Sequence, residues 1–476
     1  MWSRRDFLKS AGALAAASAL PSWAASATSA STAAKGVKHY ALRPAELELA
    51  LAGMAGKSNF WGFNGSVPGP QIRVRRGERV HVSLENGLAV ETAVHWHGVR
   101  VPNAMDGVPQ VTQAALKPGE RFEYEWLARD SGTFWYHPHQ SSFEQVPRGL
   151  YGALIVEEDK PIVVDRDEVW LLSDVKLDPD GRQVEDYGRV MDFGNEGRLG
   201  NRILVNGQPG GELSVRSGER IRLRLINAAS ARLFKLAIAG HAVTVIAYDG
   251  QAVTPHVLEF VELGPGMRVD IVLDCLRRPG ETFAISDSHR RSLGDVGRIV
   301  YQQGKPLRDK ALKAPIALAA NPLPEPNLDK ASDHYIVFQG GMRGTPIIGA
   351  IDGKPGRIQD MMEKQGLAWT MNFTAQHEHA LSHVPLLQFA VGEHVVLHMI
   401  NETDYFHPMH LHGHFFRVLA VDGRKTRLRE WRDTVLMAPR SSVEVAFVAD
   451  NPGEWMYHCH ILDHAAGGMM GTLIVE

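Results

Sequence analysis

The sequence predicts an all-β protein made of Greek-key β-sandwich domains, three of them in tandem. Three observations carry that expectation. Short runs alternate apolar and polar residues between Gly and Pro punctuation, with no sustained helical period. One strand-and-loop pattern returns three times at a fixed internal spacing. The length, 476 residues, suits about three domains of ordinary size.

The start of the chain reads as an address rather than as structure. Ser3-Arg4-Arg5-Asp6-Phe7-Leu8-Lys9 has the twin-arginine pattern, and an apolar run from Ala11 to Leu20 and small residues follow, giving a signal peptide over 1–34. The apolar run is too short for a permanent membrane anchor. Export by a route for folded proteins suits a chain that folds before it crosses the membrane, and the expected location is a bacterial periplasm.

The repeat begins after that segment. Gly77-Glu78-Arg79-Val80-His81-Val82-Ser83-Leu84 alternates like a half-buried strand, Asn86 follows, and His95-Trp96-His97-Gly98 starts eighteen residues after Gly77. Gly392-Glu393-His394-Val395-Val396-Leu397-His398 is followed by Asn401, and His410-Leu411-His412-Gly413 starts eighteen residues after Gly392. In between, Gly218-Glu219-Arg220-Ile221-Arg222-Leu223 leads to Asn227, but Leu236-Ala237-Ile238 stands where the other copies have histidines. The second halves repeat as well: Gly132-Thr133-Phe134-Trp135-Tyr136-His137-Pro138-His139 aligns with Gly453-Glu454-Trp455-Met456-Tyr457-His458-Cys459-His460. In the middle copy Ile285, Ser286 and Asp287 take the places of His, Cys and His. The domains are expected at 38–158, 159–318 and 330–476, with the Pro-rich stretch Asn321 to Pro326 as the linker into the third.

Composition narrows the function. A net charge of -3 and ordinary hydrophobic content give no basis for a nucleic-acid partner or a polybasic membrane surface. The 22 histidines are many and fall in pairs; of the two cysteines, Cys275 lies on the apolar face of a strand as a core thiol, so no disulfide is expected. Cys459, with His464 five residues on and Met469 ten residues on, can converge with a second imidazole on one metal, and His407 is the candidate for that imidazole. Two imidazoles and a thiolate with a distant thioether make a blue-copper electron-transfer site. A lone His-x-His is commonly a coincidence. Four such pairs at repeated spacing, His95/His97 and His137/His139 facing His410/His412 and His458/His460, suit a metal cluster between the first and third domains, walled by the middle one. His81, His394 and His398 read as structural, and His377-Glu378-His379 with His383 as a solvated loop.

These blocks resemble those of the multicopper oxidases. His95-Trp96-His97-Gly98, His137-Pro138-His139, His407-x-x-His410-x-His412-Gly413 and His458-Cys459-His460-x-x-x-His464-x-x-x-x-Met469 carry the likeness, and Asn64 to Val74 is similar to the family's entry strand. The resemblance implies three cupredoxin-like domains and four copper ions, one type 1, one type 2 and two type 3. It implies His407, Cys459, His464 and axial Met469 at type 1, and His95 and His410 at type 2. His97, His137, His139, His412, His458 and His460 would hold the type 3 pair. The implied reaction takes single electrons from a phenol or from cuprous ion and reduces dioxygen by four electrons to water, as in a laccase or a cuprous oxidase serving copper homeostasis. Cys459 would carry electrons and Asp106 would assist proton delivery; a second acid found in copper-efflux relatives is Ala465 here, with Asp463 as its possible substitute. Ten of the fifteen methionines, Met361, Met362 and Met371 among them, follow residue 340 and suit cuprous ion. A monomer is expected. The competing expectation is a periplasmic copper-sequestering protein without oxidase turnover.

Overall fold

The protein was analysed as a computed structural model, which describes residues 36–476 apart from 55, 290–292, 344–347, 352–353 and 378–384. Three two-sheet sandwiches follow one another along the chain, and their strand orders match. In each, the opening strand pairs in parallel with the Gly-Glu-led strand: Val37–Leu42 with Arg79–Glu85, Arg166–Val175 with Glu219–Asn227, and Ser332–Gly340 with His394–Asn401. The Gly-Glu-led strand then pairs antiparallel with a third, Arg121–Leu127, Arg268–Cys275 or Ser442–Val448. The second sheets correspond as well, each placing a short strand parallel to the closing strand and the closing strand antiparallel to the one before it.

The repeated asparagine explains part of this likeness. Asn86, Asn227 and Asn401 are buried, and each side-chain amide donates to one backbone carbonyl of the loop that follows and to a second from a segment 30 or more residues away, while its oxygen accepts the N–H two residues on. A buried amide with all these groups satisfied fixes the loop's path.

Alternation sets the faces. In Arg79–Glu85 the side chains of Val80, Val82 and Leu84 are fully buried while those between them are not, the pattern of a strand with one face to solvent. Among the strands that break that pattern are four, Val94–His97, Gly132–Pro138, His407–Leu411 and the end of Gly453–Cys459, that are buried on both faces and carry or adjoin the paired histidines. They lie where the first and third sandwiches meet, and those two share one hydrophobic core, with Trp96, Phe134, Trp369 and Tyr457 in it. The middle sandwich has its own core, in which Cys275 is a free, buried thiol. The Pro-rich linker is tied down at both ends. Asn321 exchanges hydrogen bonds with Ser131 and donates to Gln251, and Glu325 pairs with Arg417. Helices are few and short, the longest described being Ile358–Gln365; among the described residues none is long and apolar enough to cross a membrane.

Candidate metal centre

Eight histidines converge where the four doubly buried strands meet. Alternate residues of a strand point the same way, so His95 and His97 face across to His410 and His412, and His137 and His139 to His458 and His460. The His95 and His412 rings stack with centroids 3.8 Å apart, and His97 and His410 at 3.7 Å. His139 and His458 stand 5.1 Å apart, and His460 lies 4.9 Å from His97 and 5.2 Å from His137. Ligand atoms of His139, His412 and His458 fall within 4.8 Å of one another, as do those of His95, His410 and His412, and of His95, His97 and His137.

One ring nitrogen of most of these histidines is already engaged. Nδ1–H of His95 donates to the Asp106 carbonyl at 2.9 Å, that of His137 to the Pro138 carbonyl at 2.9 Å, and that of His458 to the Cys459 carbonyl at 2.8 Å. Nδ1–H of His410 donates to the Asp433 carbonyl at 2.9 Å, and that of His412 to the Asp106 carboxylate at 2.8 Å. His97 is turned the other way, with Nε2 3.2 Å from both the Asp433 carboxylate and the Thr434 hydroxyl. The opposite nitrogens of these six, and Nε2 of His139 and His460, are buried without any hydrogen-bond partner. Buried polar atoms are rarely left so. A set of orphaned imidazole nitrogens with their other nitrogens held by acceptors is the arrangement of metal ligands oriented by an outer shell. Burial, foremost, also pushes the His97, His137, His139, His412, His458 and His460 rings well below the usual imidazole range, so they are neutral and able to ligate. The donors fit copper.

A second group lies one residue away. Cys459 Sγ is 3.5 Å from His407 Nδ1 and 3.7 Å from His464 Nδ1, and those two nitrogens are 3.1 Å apart. Their Nε2 atoms are engaged outward. His407 donates to the Thr403 hydroxyl at 2.8 Å, and His464 to the Asn195 carbonyl at 2.5 Å. Both Nδ1 atoms and the thiol are thereby left to one ligand. Met469 is fully buried in the same core, its carbonyl accepting from the Cys459 N–H and its N–H donating to the His464 carbonyl, both at 3.0 Å. Burial pushes the Cys459 thiol up and the His464 ring down to about 3.

Several residues around the centre carry no sequence pattern. Asp433 and Thr434 hold His97 and His410; Asn195 and Thr403 hold the two imidazoles beside Cys459. Gly266 packs on the His460 and His97 rings, so the ligand-poor middle sandwich does wall the cluster. Asp463 is buried on the short helix Leu462–Ala466; its carboxylate accepts the Arg198 N–H at 2.9 Å, and burial pushes it up to about 7. His81 lies 3.4 Å from Glu123, His394 Nδ1 accepts the Asn327 N–H, and His398 donates to Asp333. Of the His377-Glu378-His379 and His383 group, all but His377 lies outside the described residues.

Comparison with known proteins agrees with this geometry. Three family models described as multicopper oxidase match residues 49–161, 180–303 and 354–476. The multicopper oxidase MmcO of Mycobacterium tuberculosis is 30% identical, covering 99% of this chain and 96% of that protein. Copper resistance protein A of Pseudomonas syringae pv. tomato is 25% identical over 100% of this chain and 99% of its own length. A crystal structure of a multi-copper oxidase from Pseudomonas thermotolerans superposes with a TM-score of 0.81 at 30% identity, covering 92% of this chain and 99% of that one. Residues 3–21 match the model of the twin-arginine translocation signal, which sends the protein to the periplasm. With three cupredoxin-like domains and donors suited to copper, the chain belongs to the multicopper oxidase family and is a copper-dependent oxidase.

Proposed function

We propose that the protein couples one-electron oxidation of small phenols and of cuprous ion to four-electron reduction of dioxygen to water, using four copper ions. The observation that carries this reading is the opposed set of eight histidines, each with an orphaned buried nitrogen, joined by the backbone to a thiol and two imidazoles. In this reading His407, Cys459, His464 and Met469 would hold the type 1 copper, and His95 and His410 would hold the type 2 copper. His97, His137 and His460 hold one of the type 3 pair, and His139, His412 and His458 the other. All these ligands come from one chain, so a monomer suffices. We place the domains at 38–158, 159–318 and 330–476. When bound, copper supplies storage for one electron at each ion, so that dioxygen can be reduced without release of peroxide.

The chain's own residues do the rest. Cys459 is bonded through its neighbours to His458 and His460, which gives an electron a covalent route from the thiolate to the cluster. The ligand side chains are all 5% exposed or less, which keeps bulk water out. Asp106 is fully buried, holds His412 through one carboxylate oxygen, and has its other oxygen unpartnered and available to carry a proton.

Electron entry falls to His464. It lines a cavity of about 280 Å³ together with Leu199, Leu233, Tyr405, Phe406 and Arg343, whose apolar and aromatic faces suit a phenol ring. Thioethers stand on the other side. A Cβ placed on Gly194 would lie 3.1 Å from Met362 Sδ and 3.5 Å from Met342 Sδ, and the next residue, Asn195, receives the His464 N–H. Soft sulfur beside the entry histidine supports cuprous ion as a substrate; Met361 and Met371 are core residues. The test is oxygen uptake by copper-loaded protein, given cuprous ion or given a phenol without added cupric salt. Uptake with both is expected. Phenol turnover that strictly required excess cupric ion would replace direct phenol oxidation by a copper relay, and no uptake with either would leave a copper-binding protein.

A further inference from the structure

The cluster is gripped by two aspartates, and they grip it in the same way from opposite sides. Asp106, in the first sandwich, accepts from His95 Nδ1–H through its peptide carbonyl at 2.9 Å and from His412 Nδ1–H through its carboxylate at 2.8 Å. Asp433, in the third, accepts from His410 Nδ1–H through its carbonyl at 2.9 Å and faces His97 Nε2 with its carboxylate at 3.2 Å. Each therefore holds a histidine of its own sandwich by its backbone and a histidine of the opposite sandwich by its side chain. The relation is a pseudo-twofold, like that of the ligands.

The two arms differ in the ring nitrogen their carboxylates hold, Nδ1 of His412 against Nε2 of His97, and in what surrounds them. Among the described residues Asp106 has no cation within ion-pairing distance apart from the histidines, and its Oδ1 is without a hydrogen bond. Asp433 is clamped by the fork of Arg268, Nη1 to Oδ1 at 2.7 Å and Nη2 to Oδ2 at 2.5 Å, with both side chains fully buried. Arg268 comes from the middle sandwich. Its Nε donates to the Thr133 carbonyl of the first sandwich at 3.1 Å, and its Nη2 to the Asp249 carbonyl at 3.1 Å, so one guanidinium touches all three sandwiches. Gly98, directly after His97, makes room for the pair: a Cβ there would lie 2.3 Å from Arg268 Nη2 and 2.5 Å from Asp433 Oδ2.

The tautomer of His97 follows. Thr434 gives its hydroxyl proton to Asp433 Oδ1 at 2.7 Å, so both groups facing His97 Nε2 can only accept, and that nitrogen must carry the proton. Nδ1, the orphan, is left for metal. We infer that Asp433, locked by Arg268, is a positioning residue for the copper cluster that fixes His97 with Nδ1 toward the metal, and that Arg268, which also donates to the Gly266 carbonyl at 3.2 Å, acts on the cluster mainly through Asp433. This rests on the ligand assignment proposed above. A ligating histidine whose second nitrogen loses its acceptor typically costs about 10–100-fold in metal affinity or activity.

Three measurements test it, and the first needs neither copper nor a substitution. In the copper-free protein labelled with nitrogen-15 at histidine, His97 is expected as the Nε2–H tautomer, while His95, His137, His410, His412 and His458 are expected as Nδ1–H. A His97 ring protonated at Nδ1 overturns the inference even if the wild type binds four copper ions and consumes oxygen, whereas a failure to bind four would fall on the ligand assignment. Next, Asp433→Asn in the copper-loaded enzyme should lower kcat about 10–100-fold with KM for the phenol unchanged. The blue colour should stay and the absorption of the type 3 pair, which His97 helps to hold, should change. Unaltered cluster occupancy and spectrum would overturn it. Finally, Arg268→Lys keeps the charge but loses the planar fork. Alone it should give a milder version of the same defect, and in the Asp433→Asn background it should add little; fully additive losses would mean that Arg268 acts by another route, such as its bond to the Gly266 carbonyl.

Discussion

Adding a single methyl at Gly266 probes whether the ligand-free middle sandwich shapes the copper cluster. An alanine Cβ there would lie 2.7 Å from His460 Cδ2, 2.8 Å from its Cγ and 3.0 Å from His97 Cε1. Carbon atoms in contact prefer about 3.5–4.0 Å, so the two rings must retreat by about 0.5–1 Å or the turn must open. Gly266 also has φ +84°, where an L side chain costs about 1–2 kcal/mol, and overpacking a filled site costs about 1–3 kcal/mol more. Gly266→Ala should therefore destabilise the protein by about 2–5 kcal/mol in all. The loss should fall on the cluster, since the three atoms nearest the added methyl all belong to His460 and His97. Copper per chain, blue absorption and oxygen uptake read the outcome together: the blue band should persist while uptake drops by tenfold or more and copper is lost from the cluster. Full copper content with wild-type uptake and stability would refute the packing argument.

Other substitutions separate the two copper regions. Cys459→Ser should abolish the blue colour and turnover while copper falls by about one per chain rather than four, because the harder oxygen replaces the covalent electron path; a variant that stays blue would contradict the assignment. Asp106→Asn should leave reduction of the type 1 copper by substrate intact and slow its reoxidation by dioxygen, by up to about 10²–10⁴-fold if the carboxylate carries protons. Reoxidation that is unchanged across pH would reduce Asp106 to a holder of His412. Met342→Leu with Met362→Leu should lower kcat/KM for cuprous ion and leave that for phenols near wild type; equal losses on both would assign these thioethers to packing.

Much of the architecture could be read because the chain states it three times. The glycine-led strands, the asparagine after them and the histidines at a fixed distance beyond recur together, and the buried hydrogen bonds of Asn86, Asn227 and Asn401 give the reason. The histidine pairs were legible for a related reason: a side chain repeating every second residue on a strand keeps one face. The outer shell was harder. Asp106 follows its histidine by eleven residues and Asp433 follows His410 by twenty-three, so their equivalent roles leave no common spacing. Arg268 lies in the copy that lost its ligands, where nothing marks it. Asn195 acts on His464 through a backbone carbonyl, which any residue could offer. The methionine count after residue 340 could not separate Met342 and Met362, which bracket Gly194, from Met361 and Met371 in the core.

The central claim is that electrons collected singly at the Cys459 site are delivered four at a time to dioxygen at the histidine cluster. The ratio of phenol oxidised to dioxygen consumed, measured with peroxide assayed in the same vessel and copper counted per chain, tests it most directly. Four copper ions per chain, four one-electron oxidations per dioxygen and no free peroxide are expected. Two oxidations per dioxygen with peroxide released into solution would contradict it.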